Sequence, residues 1–248
     1  MNNDYIGTGE IEVNEKRTLL DMNMGDVNGD GILDIVYLYG QFDGPPGIYA
    51  NNITLVIHDG RSTKSTTFHL KNNAGYNARL FLGDFNKDGV PDIMISMDTG
   101  GSGGYRIFYI YSFRNNRLRE LFNSDHYDEK YEFEAHYEDF YKVRVESPQL
   151  NVLFIIDISN RGFDYLSQFY NGDGKLKNPV QGGVLAIGGL FPINTTNRNN
   201  YFDLLAVQRI IGPTNSDTLG YVENLLSWQD IEFISNRLTV SAFGVDIK

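Results

Sequence analysis

The chain contains no cysteine among its 248 residues. Disulfides, thiolate metal sites and cysteine nucleophiles are therefore excluded. No run approaches the roughly 20 apolar residues of a membrane-spanning helix, so we expect no membrane span. Residues 1–10 are polar and contain no apolar signal core, so no leader is visible.

Positive charge is scarce, with 21 Lys and Arg against 32 Asp and Glu and a net charge of −11. A surface this acidic repels phosphate backbones, so we expect no nucleic-acid partner. The sequence also lacks the Gly-x-Ser-x-Gly elbow of serine hydrolases. The Gly-rich stretch 98–105 has no following Lys, which favours a connecting loop over a phosphate cradle.

Aromatic residues and glycine are abundant, with 16 Tyr, 16 Phe and 26 Gly. Aromatics suit pleated surfaces and glycine suits tight turns, so the composition favours an all-β fold. Apolar runs bounded by Gly and Asp clusters predict strands at residues 35–39, 53–58, 66–70, 80–82, 93–97, 106–113, 141–145, 152–158, 185–187 and 238–243. Residues 221–233 fit either a short helix or a strand pair.

Two segments repeat each other without gaps, residues 25–38 and residues 83–96, 58 residues apart. A degraded third copy occupies residues 194–207, where Thr195, Asn197 and Asn199 stand at the first three ligand positions, two of which are acidic in the intact copies, and Asp203 is retained. The spacing predicts units of about 55 residues. We therefore expect one β-propeller-like domain over residues 1–248, with four to five blades.

Each intact copy carries a nine-residue Asp-x-Asn-x-Asp-Gly-x-x-Asp loop, whose residues we number as positions 1 to 9. Oxygen ligands at positions 1, 3 and 5 can surround one hard cation, and Gly at position 6 permits the sharp turn. A carbonyl at position 7 and an Asp at position 9 complete the shell. The predicted ligands are Asp26, Asn28, Asp30, the Ile32 carbonyl and Asp34 in the first loop, and Asp84, Asn86, Asp88, the Val90 carbonyl and Asp92 in the second.

An all-oxygen, carboxylate-rich shell favours calcium, with magnesium second, so we expect two calcium ions. An EF-hand would need Glu at position 12, where the loops have Tyr37 and Ile95. The alternative is a plain Asp/Asn/Gly turn without an ion. Three carboxylates within nine residues would then repel one another uncompensated.

The two loops, each followed by an apolar strand, resemble the FG-GAP/VCBS repeats of integrin α-subunit propellers and many bacterial surface proteins. The resemblance implies structural calcium ions in hairpin loops on one propeller face, with partners binding elsewhere. Leu82-Gly83 is a partial form of the Phe-Gly element of that family.

The acidic stretch 125–139 contains two of the four histidines. It could supply a metal site or a carboxylate pair for glycoside hydrolysis. The alternation of Tyr131, Phe133 and Ala135 favours a charged strand face instead.

The sequence therefore predicts a non-enzymatic, calcium-binding module that binds an unidentified protein or carbohydrate ligand. Because millimolar extracellular calcium suits such loops, we expect it to be secreted or displayed at the cell surface. The alternatives are a polysaccharide-acting enzyme, either a lyase or a glycosidase, and a purely structural protein of a surface or spore layer.

Overall fold

The computed structural model describes residues 17–42, 47–195 and 200–244. Within those ranges fifteen strands form four antiparallel sheets, accompanied by two short α-helices and one 3-10 turn. Strands account for 56% of the structure, and the predicted all-β class is confirmed. No helix in the described ranges has both the length and the apolarity needed to cross a membrane.

Three of the sheets share one topology, in which four consecutive strands pair in sequence order. The first contains β1 (Thr18–Gly25), β2 (Asp34–Phe42), β3 (Ala50–His58) and β4 (Ser65–His69). The second contains β5 (Tyr76–Gly83), β6 (Asp92–Asp98), β7 (Arg106–Ser112) and β8 (Arg119–Asn123), with the 3-10 turn Arg114–Asn116 between β7 and β8. The fourth contains β12 (Gly183–Ile193), β13 (Asp203–Ile211), β14 (Thr218–Gln229) and β15 (Glu232–Ala242).

The third sheet has three strands in the order β11-β10-β9. They are β9 (Glu134–Glu138), β10 (Lys142–Ser147) and β11 (Val152–Asp157). Helix α1 (Ser124–Lys130) precedes β9, and helix α2 (Phe163–Phe169) follows β11.

The chain divides into two compact units. Unit 1 comprises Met1–Gly100, Arg106–Asn123 and Asn194–Phe202, and it contains the first two sheets. Its core lies on the central strands. β2 alternates buried and less buried side chains, as the period of a strand requires, whereas β3, β6 and β7 contain continuous buried runs. Fully or almost fully buried members include Leu38, Leu55, Ile95 and Tyr109.

Unit 2 comprises Gly101–Tyr105, Ser124–Ile193 and Asp203–Lys248, and it contains the other two sheets. Several of its buried apolar side chains lie on the inner strands, among them Val143, Val145, Leu204, Ile210 and Val222. The prediction of one domain, and of a propeller with four to five blades, stays a prediction.

Most predicted strands are present, with boundaries that differ by a few residues. The helix alternative for residues 221–233 is wrong, and the strand-pair alternative is confirmed, because β14 and β15 pair across Trp228 and Phe233. Tyr131, Phe133 and Ala135 are buried, as their alternation predicts. However, the preceding part of that acidic stretch forms α1 rather than strand.

Candidate functional site

Each predicted loop connects the first two strands of its sheet. The first loop joins β1 to β2, and the second joins β5 to β6, so the Asp at position 9 is the first residue of the following strand in both cases. β13 likewise begins at buried Asp203, the equivalent residue of the third copy. Residues 196–199 of that copy lie outside the described residues.

The backbone of both loops is left-handed at positions 4 and 6. Gly31 and Gly89, at position 6, each have φ of +87°, which glycine adopts without steric cost. Position 4 has φ of +77° at Gly29 and +62° at Lys87. The glycines at position 6 indicated a turn from the sequence alone, whereas Lys87 at position 4 does not indicate a left-handed residue.

The position-1 aspartates organise the loop backbone. The carboxylate of Asp26 accepts hydrogen bonds from the N–H groups of positions 4, 5 and 6 at 2.9, 3.0 and 2.8 Å. Asp84 repeats the bonds from positions 5 and 6, at 3.1 and 2.7 Å. Each loop is therefore closed around its first carboxylate.

The position-9 aspartates are fully buried and bind the other side of the loop. In Asp34, Oδ2 accepts from the N–H groups of positions 2 and 3 at 3.0 and 3.2 Å. Asp92 makes the same pair of bonds at 3.0 and 3.1 Å. Asp34 also accepts from the N–H of Gly60, at 3.0 Å, and so joins the loop to the β3–β4 connection.

The side chains at positions 3 and 5 bind the loop backbone in the same way in both copies. Asn28 and Asn86 each accept from the N–H of position 5, at 2.9 and 3.0 Å. Oδ1 of Asp30 and of Asp88 accepts from the N–H of position 7, at 2.8 and 3.0 Å. The position-7 residues themselves differ, since Ile32 is exposed and Val90 is buried.

The loops lie beside one another within unit 1. A Cβ at Gly29 would stand 2.8 Å from the Val90 side chain. The β7–β8 connection contacts both loops, because Asn115 N–H donates to the Asn28 carbonyl at 2.9 Å and Arg114 binds Asp88.

Burial and mutual repulsion act on the carboxylates. Burial raises the pKa of Asp92 to about 7, against the N–H donors of Phe85 and Asn86, and the nearby Asp88 and Asp84 raise it further. Burial is also the main cause that raises the pKa of Asp84 and of Asp34. Such carboxylates gain from a cation that compensates their charge.

The donor set of both loops fits calcium, since it consists of carboxylate, amide and carbonyl oxygens on a closed loop. The position-9 carboxylates are turned toward backbone N–H groups. Among the described residues, three His, Asp or Glu side chains bring their ligand atoms within 4.8 Å of one another at Glu134, His136 and Glu146, outside the loops.

Those three side chains lie in the third sheet, where Glu134 and Glu146 are paired across β9 and β10. His136 lies 3.0 Å from Glu134, and Arg144 contacts both Glu146 and Glu138, at 3.3 and 2.9 Å. Beside them is a cavity of about 420 Å³, whose wall includes His136, Glu138, Arg144 and Lys177. The alternation of charged residues along 134–138 and 142–146 is the sequence signal for this face.

The comparisons with known proteins agree with the repeats. Residues 26–95, which contain both loops, match the FG-GAP-like repeat family. Residues 131–241 match the YybI C-terminal domain. The uncharacterized protein YybI of Bacillus subtilis (strain 168) is 42% identical over 232 residues, covering 93% of this chain and 87% of that protein.

The chain belongs to the YybI family. The predicted FG-GAP-type repeats are confirmed, and they precede the YybI C-terminal domain in the sequence. No solved structure matches this YybI-family chain.

Proposed function

We propose that this YybI-family chain is a non-enzymatic, calcium-binding module of propeller-like FG-GAP repeats that binds a protein or glycan at the cell surface. The observation that carries the proposal is the repeated cradle. Two loops 58 residues apart use the same positions to make the same hydrogen bonds. In each loop the oxygens of positions 1, 3, 5, 7 and 9 belong to one nine-residue turn. The match of both loops to FG-GAP-like repeats supports it.

Each ion would be held by the oxygens at positions 1, 3, 5, 7 and 9. When bound, calcium supplies the positive charge that the buried carboxylates of Asp84 and Asp92 lack. The chain's own contribution is to close the loop and to hold the acids together. Loops of this kind fill at millimolar calcium, and for this reason we propose secretion or surface display.

We propose that the polar cavity in unit 2 is the binding site for a polar ligand such as a glycan. Its Arg, His, Lys and Glu side chains present both hydrogen-bond donors and acceptors. Arg144 engages Glu138 and Glu146 together. A glycosidase instead needs two carboxyl groups that flank the substrate, so the arrangement favours binding over hydrolysis.

Metal analysis of protein equilibrated with millimolar calcium tests the metal site. The native chain should bind two calcium ions, Asp84→Asn one, and the double variant Asp26→Asn, Asp84→Asn none. Asp230→Asn, in the β14–β15 turn, is the matched control and should still bind two. Native protein without bound calcium would disprove the proposal.

A glycan panel read for both retention and cleavage separates the functional alternatives. Retention without products, lost in His136→Ala, supports the module. Cleaved products would favour the polysaccharide-acting enzyme. The absence of both retention and cleavage would favour the purely structural role.

A further inference from the structure

An arginine binds the position-5 aspartate of each loop. Nε of Arg61 lies 2.8 Å from Oδ2 of Asp30, and its Nη2 donates to the Asp30 carbonyl at 2.6 Å. Nη1 of Arg114 lies 3.2 Å from Oδ2 of Asp88 and donates to the Asp88 carbonyl at 3.0 Å. In both loops one guanidinium therefore holds the carboxylate and the backbone of the same residue.

The two arginines have equivalent places in the fold but different spacings in the sequence. Each stands in the connection between the third and fourth strands of its sheet. Arg61 follows its aspartate by 31 residues and Arg114 by 26. The gap-free repeat that relates the loops therefore does not include the arginines, and each connection positions its own.

Hydrogen bonds within each connection hold the backbone around its arginine in place. The carboxylate of Asp59 accepts from the N–H groups of Arg61 and Ser62, at 2.7 and 3.0 Å, and closes the β3–β4 turn. Arg114 begins the 3-10 turn, which the bond from Arg117 N–H to the Arg114 carbonyl closes. Two unrelated turns thus deliver the same contact.

The arginine binds Oδ2 of the position-5 aspartate, the carboxylate oxygen that faces away from the loop N–H groups. Oδ1 of Asp30 and of Asp88 already accepts from the N–H of position 7, whereas Oδ2 faces the guanidinium. With the arginine, the formal charge at the cation-free loop is −2 instead of −3, so the arginine reduces the repulsion among the three carboxylates. The Arg61 and Arg114 side chains are 60% and 48% exposed, so they can leave for water at small cost.

We propose that Arg61 and Arg114 are the resident counter-ions of the two loops. Each neutralises the position-5 carboxylate of the cation-free loop and competes with calcium for it, so that the arginines limit the calcium affinity. This inference rests on the proposed calcium binding and adds its regulation. We therefore expect the loops to stay closed without calcium. When calcium binds, it displaces the arginine guanidinium from the position-5 carboxylate.

Calcium titration by calorimetry on the full chain tests the competition. Arg61→Gln and Arg114→Gln should each lower the Kd of one loop by about fivefold or more, since a positive charge next to the ion is removed. Lys64→Gln and Arg117→Gln remove the same charge from the same two connections and should change the Kd less than twofold. Arg61→Lys, which keeps the charge but not the guanidinium fork, should lie between native and Arg61→Gln.

Amide hydrogen exchange of the calcium-free protein gives a second readout. Arg61→Gln should speed exchange at Gly31 and Ile32 only, and Arg114→Gln at Gly89 and Val90 only. Calcium binding with an unchanged or higher Kd in both Gln variants would overturn the counter-ion role while leaving the calcium sites intact. Absence of calcium binding in native and variant proteins alike would instead reject the sites, and the competition with them.

Discussion

Asp128 shows how one half-buried carboxyl group links stability to pH. Burial raises its pKa to about 6, although the N–H of Ile187 binds its Oδ1 at 2.8 Å. A raised pKa means that the folded state holds the proton more tightly than the unfolded state. The stabilisation is therefore complete below the ordinary value of 3.8 and is lost as the pH rises through 6.

We predict that Asp128→Asn, which has no proton to lose, gains on the native chain as the pH rises. Urea unfolding at pH 4 and pH 7.5 should show the difference in free energy of unfolding shifting by on the order of 2 kcal/mol in favour of the variant. The other carboxyl groups titrate in both proteins, so they cancel. A pH-independent difference would contradict the assignment.

Gly60 allows the β3–β4 connection to approach the first loop. A Cβ there would stand 2.0 Å from the Leu33 carbonyl oxygen, so Gly60→Ala should lower the free energy of unfolding by about 1–3 kcal/mol. Gly172→Ala, at a position where a Cβ meets open space, is the control and should stay within about 0.5 kcal/mol. Equal effects of the two changes would show that the close approach has no energetic weight.

Strands of neighbouring sheets in unit 1 are joined through a side chain of β1. Oδ2 of Asp21, next to the bulge in β1, accepts from the N–H of Leu80 on β5 at 2.8 Å. We predict that Asp21→Ala costs about 1–2 kcal/mol, because a part-buried N–H loses its acceptor. Asp21→Asn keeps an acceptor oxygen and should cost less, as measured by thermal unfolding in calcium-free buffer.

The sequence predicted the elements whose signal is local. The apolar runs at residues 35–39 and 93–97 indicated β2 and β6, and the repeat placed both loops. Helix α1 was missed because the strand-like alternation begins only at Tyr131, and the acidic residues before it fit either structure. Arg61 and Arg114 could not be predicted, since their spacings from the loops differ and only the folded connections bring them to equivalent places.

At the scale of the molecule, all described ligands of the proposed ions belong to unit 1. Calcium should therefore stabilise the two units unequally. At a concentration 100 times the Kd, each ion adds about 2.7 kcal/mol to a state that binds it. On addition of calcium, hydrogen exchange should slow in residues 18–100 and 106–123 and change little in residues 203–242. Equal slowing throughout would show that both units open together.

Asp203 shows which part of the loop motif the degraded third copy retains. The third copy has lost the acids at positions 1 and 5 but retains the aspartate that opens its strand. In the intact copies that same residue holds two backbone N–H groups, a task that requires no ion. In the third copy, β12 and β13 still pair at Ile193 and Asp203. The strand pairing of this hairpin therefore does not depend on the two lost acids, whereas we propose calcium for the two intact loops.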